Sequence, residues 1–278
     1  MKKRRISSIY LIIVFALLYA PIFYLIFYSF NQGGDMNKFT GFTWEHYSAL
    51  FADQRMIVIV LDTLLLALLS SVIATLVGTF GALGIAARKQ KKMKSALLTL
   101  NNVLMVSPDV IIGASFLILF TSLGISLGFG SVLISHIAFS IPIVVLLVLP
   151  KVDELDPALL NAAQDLGATR WQTFSRVIIP FITPGIFSGF FMAFTYSLDD
   201  FAVTFFVTGN GFATLAVEIY SRARQGISLE INALSAVMFV FALILVVGYY
   251  FIDQYSRTRR QKRKHHQNET QNEGVMLP

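Results

Sequence analysis

The chain has 278 residues, of which 55% are hydrophobic and only 14% are charged. An average soluble domain carries about 25% charged residues, so this chain has too little polar surface to cover a water-soluble globule of its size. It contains no cysteine, which excludes disulfides, thiolate metal sites and thiol nucleophiles. The composition therefore predicts a polytopic helical membrane protein and argues against a soluble enzyme, a disordered chain and a coiled coil.

Apolar runs long enough to cross a bilayer recur along the chain. The first, residues 9–30, would extend roughly 33 Å as a helix, slightly more than the hydrocarbon core of a bilayer. A cleaved signal peptide is the alternative for this run, but it is too long for a signal core and no small-x-small cleavage site follows it. We predict an all-α fold whose six transmembrane helices cover about 9–30, 57–85, 97–120, 131–150, 183–207 and 231–252.

The basic residues predict how these helices are oriented. Of the 22 Lys and Arg, 18 lie at the two ends of the chain or in the loops after the second and fourth spans. The opposite loops carry only Lys38, Arg55, Arg222 and Arg224. Because cytoplasmic loops are enriched in Lys and Arg, this asymmetry predicts that the N- and C-termini are both cytoplasmic.

Three regions follow from this topology. We expect a basic N-terminus at 1–8, a transmembrane domain at 9–252, and a tail at 253–278 that is basic and then disordered. The basic stretch 257–266 directly follows a membrane span, so we interpret it as a contact with anionic membrane lipid rather than with nucleic acid.

The one large cytoplasmic loop, 151–180, has the pattern of two short amphipathic helices. Asp156 is a predicted N-cap followed by proline, and Gly167 is a predicted helix stop. Thr169-Arg-Trp-Gln172 fits a capping box for a second helix that carries Trp171 and that we expect to end at Pro180. We call this pair of short helices, joined at Gly167, the knuckle. It could either lie on lipid or dock a cytoplasmic partner.

The same loop carries a recognisable signature. Asn161-Ala162-Ala163, three residues, Gly167, nine residues, Val177, one residue and Ile179-Pro180 resembles the EAA motif of bacterial ABC importer permeases. Asn161 replaces the acidic residue of that motif. The resemblance implies a MetI-like permease fold, with Asn161, Ala162, Ala163, Gly167, Trp171 and Pro180 in the loop that couples to an ATPase.

Two further segments, 107–113 and 196–201, resemble the spermidine/putrescine permeases within this superfamily. The resemblance implies a bacterial inner-membrane subunit that works with a second permease, a cytoplasmic ATPase dimer and an extracellular substrate-binding protein. It also implies that ATP and Mg²⁺ are bound by the ATPase, with no cofactor on this chain. An ABC permease for iron, thiamine, an opine or a similar solute is the alternative, followed by a secondary transporter.

Catalytic motifs are missing from the sequence. It contains neither the phosphate-binding pattern G-x-x-x-x-G-K-[ST] nor the zinc-binding pattern H-E-x-x-H. The four histidines have no metal-ligand spacing on a span. We therefore predict a transport subunit without enzymatic activity of its own. A secondary transporter would more often show inverted repeats, and we find none.

Carboxylates within the predicted spans indicate the charge of the transported substrate. Asp62, Asp109, Asp199 and Asp200 lie in or near predicted spans that contain no Lys or Arg. An ionised Asp at the bilayer centre costs about 2.5 to 3.5 kcal/mol on insertion scales, so such residues normally face a cavity or a partner. A cationic guest such as a polyamine is one natural counter-charge.

Each candidate also has a structural interpretation. Asp62, near the outer end of its span, could simply be hydrated, and Asp109 could cap a helix broken at Pro108. Asp199 and Asp200 point about 100° apart on a helix, so we expect only one of them to face the passage. Tyr196, three residues before Asp199, could hold an ammonium against its ring or could serve packing alone.

Aromatic residues also cluster in the first outer loop. Phe42, Trp44, His46 and Tyr47 could form an aromatic belt at the lipid headgroups. Docking of an external binding protein is the alternative for these residues.

Overall fold

The computed structural model describes residues 2–34, 36–225, 229–244 and 247. The helices are α1 Lys2–Tyr28, α2 Glu45–Ala52, α3 Gln54–Ala86, α4 Lys91–Val106, α5 Asp109–Ser122, α6 Phe129–Asp153, α7 Pro157–Asp165, α8 Arg170–Thr173, α9 Ile179–Asp199, α10 Ala202–Val207, α11 Leu215–Gln225 and α12 Leu229–Ile244. In these ranges the only β pairing is an isolated antiparallel bridge between Asn31 and Phe42. The prediction of an all-α fold is therefore confirmed for the described residues.

Several of these helices have the length and apolar composition of membrane spans. In the described residues four qualify outright: Ser8–Tyr28, α3, α6 and the continuous helix Arg170–Asp199. The pair α4 and α5 qualifies as one bent span, and α12 is apolar but shorter over its described length. Most of 245–252 and the whole predicted tail 253–278 lie outside the described residues, so six spans and the three-region division remain predictions.

The third predicted span, 97–120, is not one straight helix. α4 and α5 meet at an angle of 102° across Ser107 and Pro108. Proline disfavours the helical conformation at the preceding residue, and Ser107 accordingly has extended backbone angles. The break that the sequence suggested at Pro108 is therefore present, and it places Asp109 in the first turn of α5.

The fifth predicted span, 183–207, was wrong at both ends. The helix begins at Arg170, because Pro180 does not end the second knuckle helix. A π-helical turn at Phe174–Ile178 lets the Ile179 N–H bond to the Phe174 carbonyl, five residues back, so the chain passes Pro180 with a wider turn. At the other end α9 stops at Asp199, and α10 begins only at Ala202.

Residues 54–221 form one compact unit. Its centre consists of α3, α6 and α9, packed around a buried cluster that includes Ala82, Val148 and Ile182. Gly78 of α3 permits a close approach to α6, because a Cβ at this position would lie 2.7 Å from the Val144 side chain. A second apolar cluster joins α5 and α10 to α3 and α6.

The described residues of 1–53 and 222–247 form the other unit. After α1 the chain folds back on buried Asn31, whose side chain accepts from the Thr40 N–H at 2.8 Å and donates to the Lys38 carbonyl at 3.0 Å. Nearby, the rings of Phe30, Phe42, Trp44 and Tyr47 pack with centroids 5.0–5.6 Å apart. Trp44 and Phe42 nevertheless remain exposed. The aromatic belt and the docking of a binding protein both stay open for this cluster.

Candidate functional site

The break between α9 and α10 separates two sets of polar residues. Tyr196 and Asp199 are three residues apart and lie on one face of α9. Ser197 and Asp200 are each one residue further along, about 100° round the helix. At Asp200 the backbone turns to an extended conformation, so two adjacent aspartates face different surroundings.

Asp200 is buried, and its carboxylate accepts hydrogen bonds from neighbouring groups of its own chain. Its side chain accepts the N–H groups of Val203 and Thr204 at 3.3 and 2.8 Å, and the Thr204 hydroxyl at 2.7 Å. Only 8% of the residue is exposed. Asp200 therefore caps the first turn of α10, where a negative charge is also favoured by the helix dipole.

A histidine from α6 completes this arrangement. His136 is fully buried, with Nδ1 2.7 Å from the Ser197 hydroxyl and Nε2 2.8 Å from the Thr204 hydroxyl. Its Nε2 also lies 3.5 Å from Asp200. Ser197 in turn is 2.9 Å from the hydroxyl of Ser70 on α3. We call Ser70, His136, Ser197, Asp200 and Thr204 the His136 cluster; it joins α3, α6, α9 and α10.

The sequence had pointed to Asp200 but not to His136, Ser70, Ser197 or Thr204. The spacing of the four histidines is unsuitable for a metal site and by itself indicates no other role. The available signal was a lone ionisable ring in the middle of an apolar span, since such a residue must find polar partners inside the bundle. Among the described residues no group of three or more acidic or His side chains could hold a metal ion.

The other face of α9 carries the candidate passage residues Tyr196 and Asp199, and a third candidate, Asp109, comes from α5. The Tyr196 hydroxyl donates to the Asp109 carboxylate at 2.8 Å, which links α9 to the first turn of α5. Asp199 is exposed and makes no hydrogen bond or ion pair within the described part of the chain. The structure thus joins Asp109 to Tyr196, and Asp199 lies three residues beyond Tyr196 on α9.

Asp62 is separate from this group. It is half-buried on α3 and has no hydrogen bond or ion pair to any residue that the structure describes. Its neighbour Thr63 accepts the Leu215 N–H at 2.8 Å, near the start of α11.

The knuckle, residues 156–180, is formed by the local signals that the sequence predicted. Asp156 accepts the Ala158 N–H at 2.8 Å ahead of Pro157. Gly167 has a φ of +78°, a conformation that favours glycine. The Thr169 N–H donates to the Gln172 side chain at 2.8 Å and the reciprocal bond is 3.3 Å, which completes the predicted capping box.

Apolar side chains lie uncovered on this knuckle. Leu166 is 88% exposed and Trp171 is 71% exposed, on either side of the turn at Gly167. Asn161 and Ala162 are exposed, whereas Ala163 is half-buried and its carbonyl accepts the Ala168 N–H at 3.0 Å. A rigid projection with exposed Leu and Trp suits contact with a protein groove or a lipid surface.

Comparison with known proteins bears on both sites. Residues 74–261 match the family described as "Binding-protein-dependent transport system inner membrane component". The match covers more than half of the chain. The chain belongs to this permease family. Its matched region includes the knuckle, the α9 face with Asp199 and every member of the His136 cluster except Ser70.

Named relatives are similar to this permease over most of its length. It is 34% identical over 242 residues to the spermidine/putrescine transport system permease protein PotC of Haemophilus influenzae, which covers 87% of this chain and 94% of the relative. Identity to PotC of Escherichia coli K12 is 37% over 235 residues, or 84% and 89% of the two chains. The putrescine transport system permease protein PotI of Escherichia coli K12 is 32% identical, with 91% of each chain covered.

Solved structures share the fold of this permease. A chain of a bacterial ABC transporter involved in alginate import superposes with a TM-score of 0.69 at 21% identity, over 90% of this permease and 96% of that chain. A second, in complex with a periplasmic protein bound to an alginate pentasaccharide, gives 0.67 at 22% identity, covering 87% and 90%. At these identities the likeness concerns the fold alone.

Proposed function

We propose that this permease is the membrane-spanning subunit of an ABC importer for spermidine and putrescine. In this proposal an extracellular binding protein delivers the polyamine, and alternating access carries it into the cytoplasm. A second, similar permease completes the passage, and a cytoplasmic ATPase dimer supplies the energy by hydrolysing ATP with Mg²⁺. Similarity to PotC and PotI along nearly the whole chain supports this assignment.

The observation that carries the polyamine assignment is the difference in hydrogen bonding between the adjacent Asp199 and Asp200. Asp200 is occupied by the α10 backbone, whereas the described chain provides no partner for Asp199. An exposed carboxylate in an apolar setting attracts a cation more strongly than in water, because the local dielectric constant is lower. We therefore place Asp199 in the passage, with Tyr196 and Asp109 beside it.

Tyr196 and Asp109 complement that role. Because the Tyr196 hydroxyl donates to Asp109, the carboxylate is oriented while its second oxygen can still accept from an ammonium group. The Tyr196 ring also offers a cation–π surface. A flexible chain with several ammonium groups would meet two carboxylates and an aromatic face in succession.

The knuckle would transmit the motion of the ATPase. Two short capped helices around a left-handed glycine form a stiff projection, and α8 continues into α9 without interruption. Closure of an ATPase dimer against Leu166 and Trp171 would thus act directly on the helix that ends at Asp199. Such a two-state helix arrangement is what alternating access requires.

The orientation that we propose has six spans with both chain ends in the cytoplasm. Two of the four basic residues predicted on the outside, Arg55 and Arg222, are neutralised by Glu218 and Asp53 at 3.3 and 3.1 Å. With this orientation, reporter fusions after residues 93, 165 and 260 should report a cytoplasmic location, and fusions near 40, 126 and 212 should report the outside. A reversed pattern would contradict the topology and the location of the knuckle.

Labelled spermidine uptake by the assembled importer tests the passage. Asp199→Asn keeps the side-chain volume and removes the charge, so uptake at low spermidine should fall about tenfold, the equivalent of roughly 1.4 kcal/mol. Uptake is normalised to complex recovered from membranes. Asp62→Asn, a carboxylate outside the α9 face, is the matched control and should leave uptake near wild type. Wild-type uptake by Asp199→Asn would contradict the role of this carboxylate.

ATPase association tests the coupling. Trp171→Ala removes the most exposed aromatic of the knuckle and should weaken recovery of the ATPase with the permease, since Trp residues often dominate interface affinity. Leu100→Ala, which truncates an equally exposed apolar residue on α4, is the control. Equal ATPase recovery with both variants would favour a knuckle that rests on lipid instead.

A further inference from the structure

We propose that His136 is a positioning residue for the passage: it fixes the end of α9 and thereby orients Asp199 and Tyr196 toward the passenger without touching it. This inference rests on the polyamine passage proposed above. Nothing of His136 is exposed, so it acts through its neighbours.

The first argument is the place of His136 between helices. The break after Asp199 leaves the end of α9 and the start of α10 without a shared helical backbone. One imidazole bridges them, because Nδ1 meets Ser197 on α9 and Nε2 meets Thr204 on α10. Ser131, five residues earlier on α6, donates to the Val207 carbonyl at 2.8 Å and holds the far end of α10.

The second argument is that, with a neutral His136 ring, the polar groups of the cluster can all be hydrogen-bonded at the same time. The Thr204 hydroxyl donates to the Asp200 carboxylate, so its oxygen accepts from a protonated Nε2 of His136. In the neutral ring Nδ1 then accepts the Ser197 hydroxyl, whose oxygen accepts the Ser70 hydroxyl. Every polar group is satisfied and all donors point toward Asp200. An apolar ring at 136 would leave the buried hydroxyls of Ser197 and Thr204 short of partners, which is costly in a low dielectric.

The third argument connects this cluster to the passage face. Ser197 directly follows Tyr196 and Asp200 directly follows Asp199. Any rotation of the end of α9 about its axis therefore moves the cluster residues and the passage residues together. Phe139, three residues after His136, also touches both sites: its ring lies 4.8 Å from that of His136 and 4.9 Å from that of Tyr196. His136 is therefore coupled to the passage residues both through the α9 backbone and through Phe139.

The test measures the spermidine concentration dependence of uptake per recovered complex. His136→Phe keeps a ring of similar size and removes both nitrogens; we expect the apparent KM to rise about tenfold. His136→Gln retains a donor for Thr204 and should recover part of this loss. Thr204→Val removes the same bond from the other side while keeping the side-chain shape, and should also raise the KM.

A double-mutant cycle separates positioning from general stability. In an Asp199→Asn background, His136→Phe should add little to the KM, because the residue that it orients has lost its charge. A role in folding alone would instead lower the amount of complex and leave the KM per complex unchanged in every variant, which would overturn the inference. If His136→Phe does not assemble, His136→Gln and Thr204→Val decide the question by the same criterion.

Failure of the proposed passage can be distinguished from failure of the positioning role of His136. If Asp199→Asn transports spermidine with an unchanged KM, the proposed passage fails and no effect of His136 can act through it. If Asp199→Asn raises the KM while neither His136→Phe nor Thr204→Val does, the passage stands and the positioning role of His136 is wrong.

Discussion

The knuckle and the α9–α10 break are both helix interruptions, but they are stabilised in opposite ways. At the knuckle each capping bond joins residues two or three positions apart in the sequence. At the break, Asp200 caps α10 locally, but the other side chains that hold Ser197 and Thr204, those of Ser70 and His136, come from 61 to 127 residues away. A locally stabilised turn can move as a rigid piece, whereas a break held by several helices changes only if their packing changes.

This difference suits the roles that we propose. The knuckle is exposed and held by its own capping bonds, so it can move with an ATPase as one piece. The His136 cluster is buried where α3, α6, α9 and α10 meet, so a change in helix packing reaches Asp199 directly. The continuous helix from Arg170 to Asp199 connects the two sites.

The largest effect is expected from removal of the α10 cap. Asp200→Ala deletes three hydrogen bonds and leaves Thr204 and His136 underpaired in a buried site, a cost of about 2 to 4 kcal/mol. Asp199→Ala, one residue away but exposed, should change stability by less than about 0.5 kcal/mol. Complex recovered from membranes and its thermal unfolding midpoint are the measurements. Equal recovery of both variants would contradict the structural difference between the two aspartates.

An intermediate effect is expected at Gly167. Among the residues that the structure describes, no atom of another part of the chain lies within 4 Å of a Cβ placed there, so only its φ of +78° opposes substitution. Gly167→Val should cost about 1 to 2 kcal/mol locally, whereas Gly167→Asn should be tolerated because Asn adopts this conformation more readily. The Val variant should reach the membrane normally yet lose ATPase association or substrate-stimulated hydrolysis.

The matched pair of Gly167 variants also provides the control. Full uptake by Gly167→Val at equal expression would show that the knuckle geometry does not transmit the ATPase motion. Equal loss in Gly167→Asn would show that glycine is needed there for a reason other than its backbone conformation.

The smallest effect is expected from the capping box. Thr169→Ala removes one exposed cap, so the second knuckle helix should lose about 1 kcal/mol. ATPase association, measured by co-purification, should weaken only slightly. Ser175→Ala removes an exposed hydroxyl that bonds within the helix rather than capping it and should have no effect. A loss with Thr169→Ala as large as with Gly167→Val would indicate that Thr169 contacts the partner directly.

The sequence determined those features whose causes are local. The caps at Asp156 and Thr169, the turn at Gly167 and the break at Pro108 each depend on one residue type and its immediate neighbours, and each is present in the structure. The prediction that Pro180 ends a helix was wrong because a π-turn accommodates it. That turn depends on backbone register, which no single residue specifies.

Only the tertiary structure decided which polar residues meet. Asp199 and Asp200 are equivalent in the sequence, and their separation depends on where α9 ends and on what α6 presents there. His136 carries no local signal beyond being polar in an apolar span, because its partners lie on α9, on α10 and in the break between them. In an apolar environment a buried polar side chain must be satisfied by whatever packs against it, so its role is set by the packing of the helices.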